Sequence, residues 1–135
     1  MNKGRHFFFM PPRPYLPDGT LQAAICYPSS PETFSPDIIE GFLKLAGLED
    51  LLGQLEQTES WEKALSREQQ QRLGLVRLLL YRPKWILLQE AFDSLDPDGE
   101  ELMLQLICQE LPEAAMLTIT NQPTAEAYHD RQIVL

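Results

Sequence analysis

Glu90 is the first residue whose type and position suggest chemistry. It follows Gln89 at the end of an apolar run, 85–88, that is typical of a buried strand. A carboxylate fixed at a strand end could serve as a general base, provided that a reacting group lies within hydrogen-bond reach. A glutamate at such a place is more often simply solvated. Glu90 by itself therefore assigns no activity.

Metal and phosphate chemistry find little support in the residue types. Cys26 and Cys108 lie far apart, with no spacing typical of a metal site. We expect two buried or half-buried thiols in a reducing compartment and no metal centre. The sequence also lacks Gly-x-x-x-x-Gly-Lys-[Ser/Thr], the loop whose backbone amides cradle phosphates.

Composition places the chain among soluble globular domains. Its 135 residues are 44% hydrophobic and 23% charged, which predicts one compact domain. The net charge of -9 argues against binding to nucleic acid or to an anionic membrane surface. The apolar run at 7–10 is too short for a signal peptide or a membrane span. We expect a cytoplasmic protein that does not insert into a membrane.

Capping residues predict the helices that would position any site. Thr20 is a good N-cap for a short helix over 21–26. Ser35 precedes Pro36 at a first helical position, and Gly47 supplies the stop. A second short helix is predicted over 48–55.

A longer helix is predicted to begin after Ser66. Gln69, three residues later, completes the pattern of a capping box. This helix would run to about Leu80 and stop before Pro83. It would carry apolar residues inward at Leu73, Val76, Leu79 and Leu80.

The two ends of the chain show the pattern of an α/β domain. The apolar run at 85–88 is predicted to be a strand buried on both faces, as in a parallel sheet, and those at 7–10 and 115–120 are predicted to be buried strands. Helical stretches separate them. The predicted elements are strands at 7–10, 85–88, 115–120 and 132–135, a helix at 98–111 and a helical turn at 124–128.

Three segments, in order and at matching spacing, resemble the ATP-binding cassette of ABC transporters. The resemblance is to the branch fused to exporter-type membrane domains, which includes peroxisomal fatty-acyl transporters and bacterial peptide-uptake relatives. The segments are 9–21, similar to the Q-loop region; 64–96, similar to the signature motif, its helix, the Walker B strand and the D-loop; and 119–131, similar to the switch-histidine loop.

The resemblance implies a partial P-loop-NTPase-like parallel sheet with an inserted helical subdomain. A single domain over 1–135 would divide into a sheet part, 5–28 and 83–135, and a helical part, 29–82. The strands at 7–10, 85–89 and 116–120 would be parallel neighbours. His129 falls in a surface segment of the family, so a structural role is expected for it.

Most positions that carry catalysis in the family are substituted here. Pro12 stands at the Q-loop glutamine, and Gln89 stands at the Walker B aspartate, where a neutral amide is a poorer magnesium ligand. Arg67 and Glu68 replace the two signature glycines, and Asn121 replaces the switch histidine. A glutamate facing the γ-phosphate would repel it.

Three family-like groups remain. Glu90 would be a relic of the catalytic base, Ser66 the signature serine and Asp96 the D-loop aspartate, the last two at nucleotide-binding positions. No cofactor is expected for the isolated chain, and ATP with magnesium is expected only if a partner supplies the phosphate loop, Walker A.

The leading hypothesis is therefore a non-catalytic cassette-like module that acts by binding another protein. The resemblance implies a surface for membrane-domain coupling helices, where the apolar residues Pro14, Tyr15, Leu16 and Leu21 would contact a transporter membrane domain or a second cassette. One alternative is the C-terminal part of a split or heteromeric ABC ATPase. Another is an α/β adaptor with a partner unrelated to transport.

A homodimer is also expected from the predicted strand order. Without the phosphate-loop strand, the strand at 116–120 would keep an open edge, which invites pairing. Either 132–135 pairs with it or a second molecule covers it, and we favour the second.

Overall fold

The computed structural model describes residues 7–120. The predictions for Asn121, the turn at 124–128, His129 and the strand at 132–135 lie outside this range. In chain order the elements are β1 (Phe7–Met10), β2 (Gly19–Thr20), α1 (Leu21–Cys26), α2 (Pro36–Leu45), β3 (Thr58–Glu59), α3 (Trp61–Ala64), α4 (Arg67–Tyr81), β4 (Trp85–Gln89), α5 (Pro97–Glu110) and β5 (Ala115–Ile119).

The main sheet has three parallel strands in the order β1-β4-β5. Phe8 lies beside Ile86, which in turn lies beside Met116. The predicted neighbours and their parallel direction are confirmed, and so is the α/β class.

The predicted N-caps begin the helices. The Thr20 hydroxyl accepts from the backbone N–H of Ala23 at 3.1 Å, and the Ser35 hydroxyl from that of Ile38 at 3.3 Å. Each bond satisfies a donor that the first helical turn leaves without a partner. The helix predicted over 48–55 is wrong, because only a 3₁₀ turn forms at Glu49–Leu51. Gly53, at a φ of +79°, turns the chain away from helical geometry.

Helix α4 is the central element of the core. Ser66 and Gln69 form the predicted capping box, with N···O distances of 3.1 and 2.9 Å. From Leu73 to Tyr81 every residue is buried, so the helix is enclosed on all sides. Arg82 then takes a left-handed conformation and ends it. The prediction of a helix from Ser66 to about Leu80 is confirmed.

One face of the sheet packs on the core, and the other is open to solvent. Met10, Ile86 and Leu88 are buried in the core cluster. On the opposite face Phe9 and Trp85 are exposed. The predictions of a buried strand at 7–10 and of burial on both faces at 85–88 are therefore wrong. Apolar residues on both faces make a strand suited to burial on both sides. They do not indicate whether a second layer of the protein covers it.

Some features of the fold carry no sequence signal strong enough to predict. β2 and β3 pair over two residues each, and the Trp61 indole N–H donates to the Gly19 carbonyl at 2.8 Å.

Cys26 is buried and Cys108 half-buried, as predicted, and burial raises the pKa of both thiols. Within residues 7–120, no helix has the length and apolarity needed to cross a bilayer.

Candidate functional site

The carboxyl ends of the parallel strands bring the motif positions together. β1 leads through Pro11 into Pro12, and β4 leads into Glu90. Met10 is level with Leu88, so both segments leave the sheet at the same edge. In open α/β sheets this edge is where ligands bind. The site can therefore be judged from the side chains that meet there.

Glu90 has an unusual backbone. Its φ is 47°, in the left-handed region that a residue with a side chain enters only at a cost. Its N–H donates to the Ile119 carbonyl at 2.8 Å, which ties the residue to β5. The half-buried side chain thus stands at the sheet edge, as predicted from the strand, while Gln89 beside it is exposed.

Gln71 is the residue that holds the site edge together. Its side chain is fully buried, and its amide nitrogen donates to the Pro12 carbonyl at 2.9 Å and to Asp93 Oδ1 at 2.7 Å. Its amide oxygen accepts from the Ser94 N–H at 2.9 Å. One side chain on α4 therefore joins the segment after β1 to the loop after β4.

Arg67 adds a second link to the same loop. A guanidinium nitrogen lies 3.6 Å from Asp93 Oδ1, and both side chains are partly exposed, so solvent weakens the pair. Arg67 stands at a signature glycine in the resemblance, and the sequence does not predict this contact. The role of Gln71 is not predicted either, since its only signal is a polar residue in a leucine-rich helix.

Ser66 lines a polar depression of about 450 Å³ together with Glu68 and Arg72. The Ser66 hydroxyl is engaged in the helix cap. Glu68 accepts two hydrogen bonds from Arg72, at 2.9 and 3.1 Å. Arg72 also donates to the Ala46 carbonyl at 2.8 Å. The charges in the depression are thus largely paired with one another.

Asp96 caps the next helix. Its Oδ1 accepts from the Gly99 N–H at 2.7 Å, and Pro97 occupies the first helical position. The carboxylate therefore stabilises the start of α5, whatever else it contacts.

A buried acid faces Glu90. Glu100 on α5 is buried, and its pKa is raised, mainly by loss of solvation and further by the charge of Glu90. Burial disfavours the charged carboxylate, and a neighbouring negative charge adds to that penalty.

The predicted partner surface requires a correction. Pro14, Leu16 and Leu21 are buried, so their side chains pack in the interior and cannot present a patch. Tyr15 is 56% exposed and makes an edge contact with Tyr27, with ring centroids 4.9 Å apart. The exposed feature of this region is the pair Tyr15 and Tyr27.

The buried side chain of Arg77 contacts both residues of this aromatic pair. Its guanidinium donates to the Tyr15 carbonyl at 2.9 Å and to the Ala24 carbonyl at 2.6 Å, and it lies 5.5 Å from the Tyr27 ring centroid. Burial lowers the pKa of Arg77. The side chain fixes the loop that carries Tyr15 to the end of α1.

The residues at this edge do not fit a magnesium nucleotide. Magnesium is held through carboxylate oxygens and phosphates, and the last residue of β4 carries the Gln89 amide. Pro12 offers no side-chain donor, and its carbonyl is already bound by Gln71. Among residues 7–120, no three His, Cys, Asp or Glu side chains converge as a metal site would need.

The chain is homologous over about nine-tenths of its length to ABC transporter ATP-binding proteins. It is 35% identical over 127 residues to an uncharacterized ABC transporter ATP-binding protein of Haemophilus influenzae, covering 94% of this chain and 22% of that protein. It is 34% identical over 131 residues to the lysosomal cobalamin transporter ABCD4 of Mus musculus, covering 90% and 21%. It is 33% identical over 132 residues to ABC transporter D family member 1 of Arabidopsis thaliana, covering 93% and 10%.

These relatives confirm the resemblance to the ATP-binding cassette. The chain spans about a fifth of the length of the first two, and about a tenth of the third. No family model matches the chain.

Proposed function

We propose that this chain is a non-catalytic, cassette-like module that acts by binding another protein, in the setting of a transporter. The observation that carries the proposal is that a side chain of the chain itself already binds the groups at the carboxyl edge of the sheet. Gln71 occupies the Pro12 carbonyl, Asp93 and the Ser94 N–H at once, so the chain's own side chain links the segments where a nucleotide would be handled.

The chemistry of phosphoryl transfer supports this proposal. The transferred phosphoryl group is stabilised by backbone amides, a lysine and a metal ion, and the attacking water must be oriented. The sequence has no Gly-x-x-x-x-Gly-Lys loop, and Gln89 and Pro12 stand where the family has a metal ligand and a water-orienting amide. Glu90 stands at the position of the catalytic base. A base cannot replace the missing phosphate-binding and metal-binding groups.

Partner binding is the positive half of the proposal. Tyr15 and Tyr27 are exposed aromatic side chains on a loop that Arg77 holds in place. Rigid aromatic residues are frequent hot spots of protein interfaces, since they bury much area and lose little conformational entropy. A membrane domain or a second cassette at the cytoplasmic side of a membrane is the partner that the relatives favour.

A second candidate is one half of a heteromeric ATPase. It is favoured by the position of Glu90 at the strand end and by the exposure of Ser66 at the start of α4. A partner chain would then supply the phosphate loop. Gln89 and Glu68 count against it, because neither suits a magnesium-bound phosphate.

A phosphate-release assay tests the proposal on the purified chain and, repeated after co-purification with its cellular partner, separates the two candidates, because only the second predicts turnover with a partner present. The purified chain with magnesium and ATP should release no phosphate above the buffer rate, and Glu90→Gln should give the same result. Gln89→Asp should remain inactive as well, because restoring one metal ligand does not restore the phosphate loop. Turnover by the isolated chain that Glu90→Gln abolishes would overturn the proposal.

A further inference from the structure

The guanidinium of Arg72 lies where three helices meet. The side chain is largely buried, with 16% of its surface exposed. Nη1 donates to the Ala46 carbonyl at the end of α2, at 2.8 Å, and Nε and Nη2 donate to Glu68 one turn earlier on α4. Nη2 also lies beside Gly99 in the first turn of α5, where an added methyl group would be 3.3 Å from it. One side chain on α4 therefore binds the end of α2 and lies against the start of α5.

Two glycines leave the space that this guanidinium occupies. Gly47 follows α2 with a φ of +78°, which by itself favours glycine, and a methyl group there would lie 2.6 Å from Arg72 Nη1. Gly99 has helical backbone geometry, so its conformation does not require glycine. Glycine is also a poorer helix former than alanine. The absent side chain at Gly99 is therefore explained by packing, because a methyl group there would meet Arg72 Nη2 at 3.3 Å and Asp96 Oδ1 at 3.1 Å.

We propose that Arg72 links the end of α2 to the start of α5, so that these two segments open together and not separately. We name this arrangement the Arg72 link. An arginine suits it, because the planar guanidinium donates in several directions at once. A cation is also favoured beside the last carbonyls of a helix, where the helix dipole is negative. The Arg72 link is a conformational device of the fold and does not depend on the proposed partner binding.

Glu68 has a smaller part in the Arg72 link. Its side chain is 50% exposed, so solvent weakens its pair with Arg72. The pair also lies within α4 and joins no other element. It orients the guanidinium, whereas the bond to Ala46 and the close approach to Gly99 connect different helices.

The Arg72 link also connects two positions that the family resemblance identifies. Ser66 caps α4 and lines a depression with Arg72, and Asp96 caps α5 beside Gly99. Both helix starts are next to the same guanidinium. The Arg72 link would therefore hold them in one arrangement.

Native-state hydrogen exchange of the whole chain tests whether the two segments open together. The amide of Leu48 reports on the end of α2, and that of Glu100 reports on the start of α5, since both are bonded to backbone carbonyls there. Arg72→Met should accelerate exchange of both amides by about tenfold, because bonds from a charged donor are lost. Arg82→Met is the matched control. Arg82 donates to the Glu110 carbonyl at the other end of α5, so its loss should leave both amides at the parent rate.

A double-mutant cycle tests the contact with α5 from its other side. Gly99→Ala should displace Arg72 Nη2 and accelerate exchange of the Leu48 amide on α2 by about threefold. In the Arg72→Met background the same change should have no effect on Leu48, because the displaced group is gone. Gly41→Ala is the control, since Gly41 is helical and has no atom within 4 Å of an added methyl group. It should leave exchange at Leu48 no faster than in the parent chain.

Three results would overturn the inference. Faster exchange at Leu48 alone in Arg72→Met would mean that Arg72 only caps α2. Equal acceleration at Ile86, in the middle of β4, would mean that Arg72 stabilises the whole fold and links no particular segments. An effect of Gly99→Ala on Leu48 that persists in Arg72→Met would have its cause in the Asp96 cap. None of these results depends on nucleotide or on a partner, so failure here is distinguishable from failure of the proposed function.

Discussion

At the scale of single residues, buried polar side chains on α4 connect distant segments. Gln71 joins the ends of two strands, and Arg77 joins the Tyr15 loop to α1. Gln71 donates to one part-buried carbonyl, and Arg77 donates to one part-buried and one fully buried carbonyl; a buried carbonyl without a donor is costly. These contacts determine where exposed groups such as Tyr15 stand.

Arg77→Met tests this account of Arg77. The variant removes the donor for two carbonyls and should lower the free energy of unfolding by about 3 kcal/mol, as expected when bonds to a buried charge are lost. Lys84→Met is the control, since that side chain is exposed and should change stability by about 0.5 kcal/mol or less. Urea unfolding measures both. Equal midpoints for the two variants would contradict the role given to Arg77.

Glu100→Gln tests the buried acid beside Glu90. The raised pKa of Glu100 means that the folded chain holds this proton more tightly than the unfolded chain does. The protonated form therefore stabilises the fold at acid pH, and that contribution is lost as the pH rises through the raised pKa. Relative to the parent, the glutamine variant should gain stability between about pH 4 and neutral pH.

Urea midpoints at several pH values follow this difference. Glu113→Gln, at an exposed residue, is the control for the change of side chain itself. A difference between Glu100→Gln and the parent that stays constant over the range would show that the fold does not raise the pKa of Glu100.

At the scale of elements, local signals predicted helix starts well. Ser66, Thr20 and Ser35 each cap a helix through the expected hydrogen bond, because a cap depends only on a few adjacent residues. The helix predicted over 48–55 is wrong because Gly53 takes a positive φ there, and the low helix propensity of glycine was a signal against that helix. Contacts between distant segments were not predictable either.

Ser66→Ala tests the capping box at the start of α4. Loss of the hydroxyl should cost about 1 kcal/mol of stability, the usual value of an N-cap. Ser60 precedes α3 without a side-chain cap bond, so Ser60→Ala should cost less. Thermal melting compares the two. An unchanged melting temperature for Ser66→Ala would mean that the cap contributes nothing.

At the scale of the whole molecule, the order of the strands in the sheet was predictable. Whether other elements pack on each of its two faces was not. Apolar strands indicated a parallel sheet, and the resemblance implied the neighbours. Whether helices cover both faces depends on chain segments that a strand's own sequence does not describe. The homodimer expected at the edge of β5 stays a prediction. Light scattering of the purified chain tests it: the mass of a dimer would support pairing at this edge, and the mass of a monomer at high concentration would contradict it.

The central claim is that this cassette-like chain does not handle nucleotide by itself. Isothermal titration calorimetry of magnesium and ATP into the purified chain tests it most directly. The account predicts no binding heat, because the phosphate loop is missing from the sequence and Gln71 already engages the Pro12 carbonyl and Asp93. A saturable isotherm with low-micromolar affinity would contradict it.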